Sequence, residues 1–289
     1  MVKKIYIANK IISILEIARV DQYVKSLLVF TPLLIVASDN LFYNIVNILP
    51  VFFSFALLSS IIYIINDIID LEKDKLNPFK FNRPLVKGTI SIKTCFLLIL
   101  TLILCFIFLF FYFSLFKLTY VFTLYFLMNL FYCLILKKFF LIDILSVSAG
   151  YGLRVISGYI VINAQLNVSL IIGVVLLSIF ILMIKRRAEF NEKTYNNSLK
   201  LYNDRNIYKY IIITINLLII LNYYYFANNL FEVNFFILSY IFVFLALLRL
   251  NFLLIKSKVK KNITNLITKD IYLIIFLLLW ILIFILKDI

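Results

Sequence analysis

Residues 45–88 read IVNILPVFFSFALLSSIIYIINDIIDLEKDKLNPFKFNRPLVKG. From Ile45 to Ile65 there is no charge, and the stretch is long enough to cross a bilayer, which takes about 20 apolar residues. Its end is acidic. Asp67, Asp70 and Asp74 are spaced i, i+3, i+7, so they share one face if the helix continues, with Asn66 and Glu72 beside them. Carboxylates gathered at a membrane surface repel one another unless a cation neutralises them. A hard divalent ion suits them, and Mg²⁺ typically keeps coordination positions open for substrate phosphates. Pro78 and Pro84 then stop the helix and shape a loop that presents Lys80, Arg83 and Lys87. Carboxylates followed by cations make a site for a metal-bound diphosphate; the alternative is a solvated loop helix of mixed charge.

Working outward, apolar windows of similar length recur along all 289 residues, which are 64% hydrophobic with a mean hydropathy of +1.07. A soluble domain is nearer half apolar. The windows predict an all-α, polytopic membrane protein with about nine transmembrane helices, near 23–38, 45–65, 92–114, 119–136, 141–162, 168–184, 210–227, 232–250 and 271–287. No stretch reads as a separate soluble domain, so residues 1–289 form a single transmembrane domain in this reading. All but three of the 29 Lys and Arg fall at one set of span ends; Lys117 and Lys287 lie at the other, and Arg154 lies inside a span. By the positive-inside rule the N-terminus and the long connections 66–91 and 185–209 face the cytoplasm, and the C-terminus faces outside.

The net charge of +15 is therefore read as loop cations against an anionic leaflet, and no nucleic-acid partner is expected. Cys95, Cys105 and Cys133 sit in apolar segments without a CxxC pair and read as packing residues. The chain has no histidine, which excludes a histidine base and histidine-ligated metals. The N-terminal MVKKIYIANKIISILEIARV carries charges through its apolar part and lacks a small-residue cleavage site, so no removable signal peptide is expected.

NDxxDxxxD followed by NPxKxxRPxxxG resembles the first aspartate-rich motif of the UbiA superfamily. That resemblance implies helices around a central cavity, with the aspartates Asp67, Asp70 and Asp74, together with Asn66, binding Mg²⁺ and a diphosphate. RVDQYVKSLLVFTPLL at 19–34 is similar to the RPxQWxKN opening of the decaprenyl-phosphate phosphoribosyltransferase branch: Arg19, Gln22 and Lys25 match, while Val20, Tyr23 and Ser26 depart from it. Residues 129–158 resemble that branch's fourth and fifth helices and place Tyr132, Lys137, Asp143, Arg154 and Gly158. KRRAEF at 185–190 matches its KRxxE signature through Lys185, Arg186 and Glu189, and Arg249 with the ITKD ending at Asp270 resembles its last helices.

Typical UbiA prenyltransferases carry a second DxxxD motif where this chain has KRRAEF. Cations bind phosphate directly, so the pattern suits two phosphorylated substrates; KRR is equally what a positive-inside helix anchor looks like. Arg154, deep in its span, must face a polar cavity or a partner, which leaves open a substrate role and an interhelical anchor. The resemblance implies Mg²⁺-dependent transfer of 5-phosphoribose from phosphoribosyl diphosphate to a polyprenyl phosphate, at the inner (cytoplasmic) membrane of a bacterium, for envelope polysaccharide synthesis. Substrate-binding positions are then Gln22, Lys25, Asn66, Lys80, Arg83, Tyr132, Lys137, Arg154, Lys185, Arg186 and Glu189. Membrane lipids surround the protein, and a homo-oligomer is left open. The rivals are a prenyltransferase with an aromatic acceptor and an ion-coupled transporter; against the latter, the acidic residues cluster at one face without a relay through the bilayer.

Overall fold

The computed structural model describes residues 2–36, 40–191, 205–256 and 269–286, and every regular element among them is helical. Helix α1 (Val2–Ile17) leads into a 3-10 helix (Val20–Leu34), α2 (Leu41–Ile69) and the short α3 (Leu71–Lys75). Then come α4 (Ile92–Tyr112), α5 (Thr119–Leu134), α6 (Phe140–Val161) and α7 (Val168–Asn191). The last are α8 (Arg205–Asn228), α9 (Val233–Lys256) and α10 (Ile271–Leu286). Among the described residues seven helices are long and apolar enough to cross a membrane. The expected total of about nine also counted 23–38 and 271–287. Both are present in shorter form, as the 3-10 helix and as the 16-residue α10.

The 3-10 winding explains the short first span. At about 2.0 Å rise per residue, 15 residues reach roughly 30 Å, the thickness of a bilayer core. Burial follows the same period of three. Ser26 and Val29 are buried with Tyr23 half-buried one turn before them, whereas Asp21, Val24 and Leu27 are exposed.

The chain groups into two compact units, divided within α6 between Gly152 and Leu153. The first holds α1, the 3-10 helix through Thr31, α2 to α5 and the end of α6 from Leu153. Its centre is α2, which packs against α4 and α5. Of α2's most apolar stretch 67% is buried, against 6% for α4. Side-chain size accounts for this. Ser54, Ala56, Ser59 and Ser60 are small enough to let neighbouring backbones approach, and they are buried. Their hydroxyls are satisfied within the unit: Ser54 donates to the Pro50 carbonyl (2.8 Å) and Ser60 to the Ala18 carbonyl (2.7 Å), while the Tyr23 hydroxyl lies 3.0 Å from Ser60 Oγ. Helix α4 instead exposes Phe96, Leu97, Leu100, Leu104 and Phe108, a surface suited to lipid.

The second unit holds the start of α6 and α7 to α10. Phe180, Met183 and Ile184 of α7 meet Tyr208, Ile212, Ile215 and Ile219 of α8, with Leu247 and Leu250 of α9 and Ile144 of α6. The four- and three-residue steps along α8 are those of one helix face. At Gly173 a Cβ would stand 3.0 Å from Asn222 Nδ2, which itself donates to the Ser169 carbonyl (2.9 Å), so this crossing of α7 and α8 depends on the missing side chain.

The contacts of Ser60 with Tyr23 of the 3-10 helix and with the Ala18 carbonyl give a direct test. Ser60→Leu adds bulk at a fully buried position and removes two hydrogen-bond contacts, so a loss of about 1–3 kcal/mol is expected, read as a lowered thermal midpoint in detergent. Leu100→Ala on the exposed face of α4 should shift the midpoint far less.

Candidate functional site

Helix α2 carries the acidic motif at its end but does not run through it. It stops at Ile69; Asp70 (φ −90°, ψ 3°) forms the junction, and α3 follows. The hydrogen-bond ladder still crosses the break, from Asp70 N–H to the Asn66 carbonyl (2.9 Å) and from Asp74 N–H to the Asp70 carbonyl (2.8 Å). Asp67 and Asp74 therefore stay on one side and are 5% and 1% exposed, while Asp70 is turned aside. Beyond α3, Pro78 and Pro84 hold residues 76–90 in tight turns. Gly88 takes the left-handed conformation (φ 74°) that a side chain would resist, and Ser91 caps α4 by accepting from Thr94 N–H. Leu85 and Ile90 are buried against Ile17, Ile64 and Cys95, which pins this loop to the core beside the carboxylates.

Every aspartate of the motif is met by cations of the same unit. Asp67 Oδ1 accepts from Arg19 Nη2 (2.7 Å) and Arg83 Nη1 (3.0 Å). Asp74 accepts from Lys80 Nζ (2.6 Å) and also from Arg83 Nη1. Lys137 Nζ reaches both oxygens of Asp70 (2.8 and 2.7 Å) and the Asn66 side-chain oxygen (3.1 Å). The sequence pattern thus brings together Asn66, Asp67, Asp70, Asp74, Lys80, Arg83 and Lys137. Arg19 joins them without having been counted as a site residue, and the signal was its place at the head of the RxxQxxK stretch. It sits at the joint between α1 and the 3-10 helix with φ 51°, rare for a residue with a side chain, and its guanidinium stacks 4.6 Å over the Tyr63 ring.

The other expected residues have surroundings of their own within each unit. Gln22 hydrogen-bonds Asp21, and Lys25 is half-buried one 3-10 turn further along the same ridge. Tyr132 is half-buried in the last turn of α5. In the second unit Arg186 grips Asp143 through a fork, Nε to Oδ2 (2.6 Å) and Nη2 to Oδ1 (2.8 Å). The fork fixes the plane of the guanidinium against the Asp143 carboxylate. Lys185 beside it is half-buried, and the side chain of Glu189 lies outside the described residues. Arg249 makes a second fork to Asp270 and stacks 4.5 Å over Tyr272; this hydrogen bond holds the Asp270 carboxyl below its ordinary range.

Arg154 is 6% exposed. Its Nη2 donates to Tyr125 OH (2.7 Å) and Ser59 Oγ (3.0 Å), and its guanidinium lies over the Tyr125 and Phe55 rings at 4.8 and 5.4 Å. One side chain so joins α6 to α2 and α5. Of the two readings open in the sequence, these contacts favour the interhelical anchor.

Among the described residues no three acidic side chains lie close enough together to hold a metal. Two do converge: Asp67 and Asp74 meet on one nitrogen of Arg83. Mg²⁺ is commonly held by one or two carboxylates plus substrate phosphates, and these are hard oxygen donors, so the pair fits such an ion.

The chain belongs to the UbiA prenyltransferase family, whose sequence profile it matches over residues 26–282. It is a multi-pass membrane protein. It is 26% identical over 203 residues to decaprenyl-phosphate phosphoribosyltransferase of Mycobacterium tuberculosis, covering 64% of this chain and 62% of that one. To the enzyme of that name from Corynebacterium glutamicum it is 30% identical over 174 residues, covering 59% and 52%. The matches thus span little more than half the length of these relatives. In fold it is similar to a UbiA homolog from Archaeoglobus fulgidus solved with DMAPP and Mg²⁺, with a TM-score of 0.66 at 16% identity over 96% of this chain and 98% of that one. A solved digeranylgeranylglyceryl phosphate synthase gives 0.65 at 20% identity, with coverage of 96% and 98%.

The anchor reading of Arg154 is checked by Arg154→Leu. It strips Ser59 and Tyr125 of a charged donor in a buried setting, and each such bond is worth about 1.5–3 kcal/mol. The expected result is a markedly lowered thermal midpoint in detergent. Arg154→Lys should recover part of it, because one ammonium cannot both fork to two hydroxyls and stack.

Proposed function

We propose that this protein transfers the 5-phosphoribosyl group of phosphoribosyl diphosphate to a polyprenyl phosphate, with Mg²⁺, at the cytoplasmic face of a bacterial inner membrane. The product, a polyprenyl phosphoribose, serves envelope polysaccharide synthesis. The observation that carries the reading is the cationic end of α7, Lys185 and Arg186, where a second aspartate-rich motif would serve a prenyl diphosphate; the names of the curated relatives agree with it.

In this reading Asp67 and Asp74, with Asp70 and Asn66 beside them, hold the ion. When bound it supplies positive charge to the diphosphate as the bond from ribose C1 to oxygen breaks. Arg19, Lys80, Arg83 and Lys137 orient the diphosphate oxygens as charged donors. Lys185 and Arg186 take a second phosphate as charged donors, and the Asp143 carboxylate holds the Arg186 guanidinium in place. Gln22, Lys25, Tyr132 and Glu189 complete the substrate contacts in this assignment. An oxygen of the acceptor phosphate forms the new bond to C1 as the diphosphate leaves. That phosphate is already ionised near neutral pH, so the step needs no base, in keeping with a chain without histidine.

The deciding experiment is incubation of purified protein with polyprenyl phosphate, Mg²⁺ and either phosphoribosyl diphosphate or a prenyl diphosphate with aromatic acceptors. A phosphoribosylated lipid is expected; prenylated aromatics alone would move the chain to the other activity. Asp67→Ala and Asp74→Ala should each abolish transfer, and Lys185→Ala should lower kcat/KM by roughly ten- to a hundred-fold, the worth of one charge-assisted bond to phosphate.

Orientation is tested separately. Single cysteines placed at Lys75 or Lys87, on a background lacking Cys95, Cys105 and Cys133, should resist an impermeant thiol reagent in intact cells and react after lysis. Labelling of intact cells would reverse the proposed topology.

A further inference from the structure

A single atom, Arg83 Nη1, stands between the two deepest carboxylates of the site, 3.0 Å from Asp67 Oδ1 and hydrogen-bonded to Asp74 Oδ2. One positive centre held by an oxygen from each of two carboxylates is the arrangement a bridging divalent ion would make. The surrounding charge is also complete. Arg19 shares Asp67 Oδ1, Lys80 takes the other oxygen of Asp74, and Lys137 takes both of Asp70. Three carboxylates therefore face four cations, and the cluster is net positive before any ligand arrives.

We propose that Arg83 holds the metal's place in the free protein, so that a divalent ion is bound weakly by itself and tightly only together with a diphosphate. This rests on the metal and diphosphate part of the function proposed above, which phosphoribosyl and prenyl donors share. A bare ion entering alone meets a positive field. It must also pull Asp67 and Asp74, both nearly fully buried, away from Arg83 and Lys80, and those two cations then have no anion to turn to. A diphosphate changes the exchange. Its oxygens accept from Arg83, Lys80 and Arg19 while the carboxylates turn to the ion, and every charge stays paired throughout.

The chain is built for such an exchange. The carboxylates are fixed on α2 and α3, whereas Lys80 and Arg83 are long side chains on the loop between Pro78 and Pro84, and they are 37% and 26% exposed. Leu85 and Ile90 anchor the loop's far end, so the side chains can swing without the backbone leaving. By linkage the preference is reciprocal: the ion strengthens diphosphate binding by the same factor as diphosphate strengthens the ion's.

The test is equilibrium dialysis of the purified full chain against Mn²⁺ alone, inorganic diphosphate alone, and both. The wild-type protein should retain Mn²⁺ weakly by itself and more tightly with diphosphate, by a factor within the roughly 5- to 150-fold range of such couplings. Arg83→Gln should raise the affinity for Mn²⁺ alone and lose most of the enhancement. Arg83→Lys, which keeps a bridging cation, should still bind the bare ion only weakly, and a thermal midpoint confirms that each variant is folded. If Arg83→Gln fails to fold, the comparison of wild type with Arg83→Lys decides, since both must show the same dependence on diphosphate. Equal retention of Mn²⁺ by the wild type with and without diphosphate overturns the inference, as does a folded Arg83→Gln that gains no affinity for Mn²⁺ alone. Absence of Mn²⁺ binding in every condition overturns it together with the metal reading, while the choice of donor stands on the transfer assay.

Discussion

A carboxylate at the edge of a bilayer cannot stay both charged and unpaired. Moving an ion from water toward a medium of low dielectric costs several kcal/mol even after relaxation, and only a close counter-charge offsets it. Asp67 and Asp74 are almost wholly buried at the end of a membrane-spanning helix, so much of the surrounding structure answers to them. The return of the chain after α3, the docking of Leu85 and Ile90, and the left-handed turn at Arg19 each bring a cation to these two side chains. The motif is thus a folding determinant of the first unit as well as a candidate site. The same rule governs the second unit, where Asp143 and Asp270 are each held in an arginine fork.

What makes this arrangement workable is the slimness of α2. A helix so deeply buried in a membrane protein gains little from hydrophobicity, because lipid is as apolar as its neighbours; close approach and hydrogen bonds must supply the attraction. The serines provide both. Ser60 serves the 3-10 helix and the carbonyl of Ala18, while Ser59 serves Tyr125 and Arg154. Through them the position of the acidic motif is tied to α5, α6 and the first span. The 3-10 winding of that span has a consequence for the site: residues three apart line up along it, so Gln22 and Lys25 share one ridge, and Arg19 at the joint just before the helix reaches Asp67.

The sequence by itself determined the class of the protein. Charge-free runs of bilayer length, the placement of nearly all cations at one set of ends, and the acidic motif followed by prolines and cations are local patterns, legible because each is set by neighbours along the chain. That much sufficed for an all-helical membrane protein of the UbiA kind and for the residues gathered around Asp67, Asp70 and Asp74. Tertiary structure decided which charge meets which. Arg19 and Asp67 are 48 residues apart, Lys137 and Asp70 are 67 apart, and Arg186 and Asp143 are 43 apart. No periodicity reaches that far, and a lysine or arginine in a loop looks the same whether it serves a carboxylate, a phosphate or the membrane surface. The 3-10 form of the first span, the break of α2 at Asp70, and the aromatic and hydroxyl cage around Arg154 escape the sequence for the same reason. Each is fixed by what packs against it, and the packing partners come from distant parts of the chain.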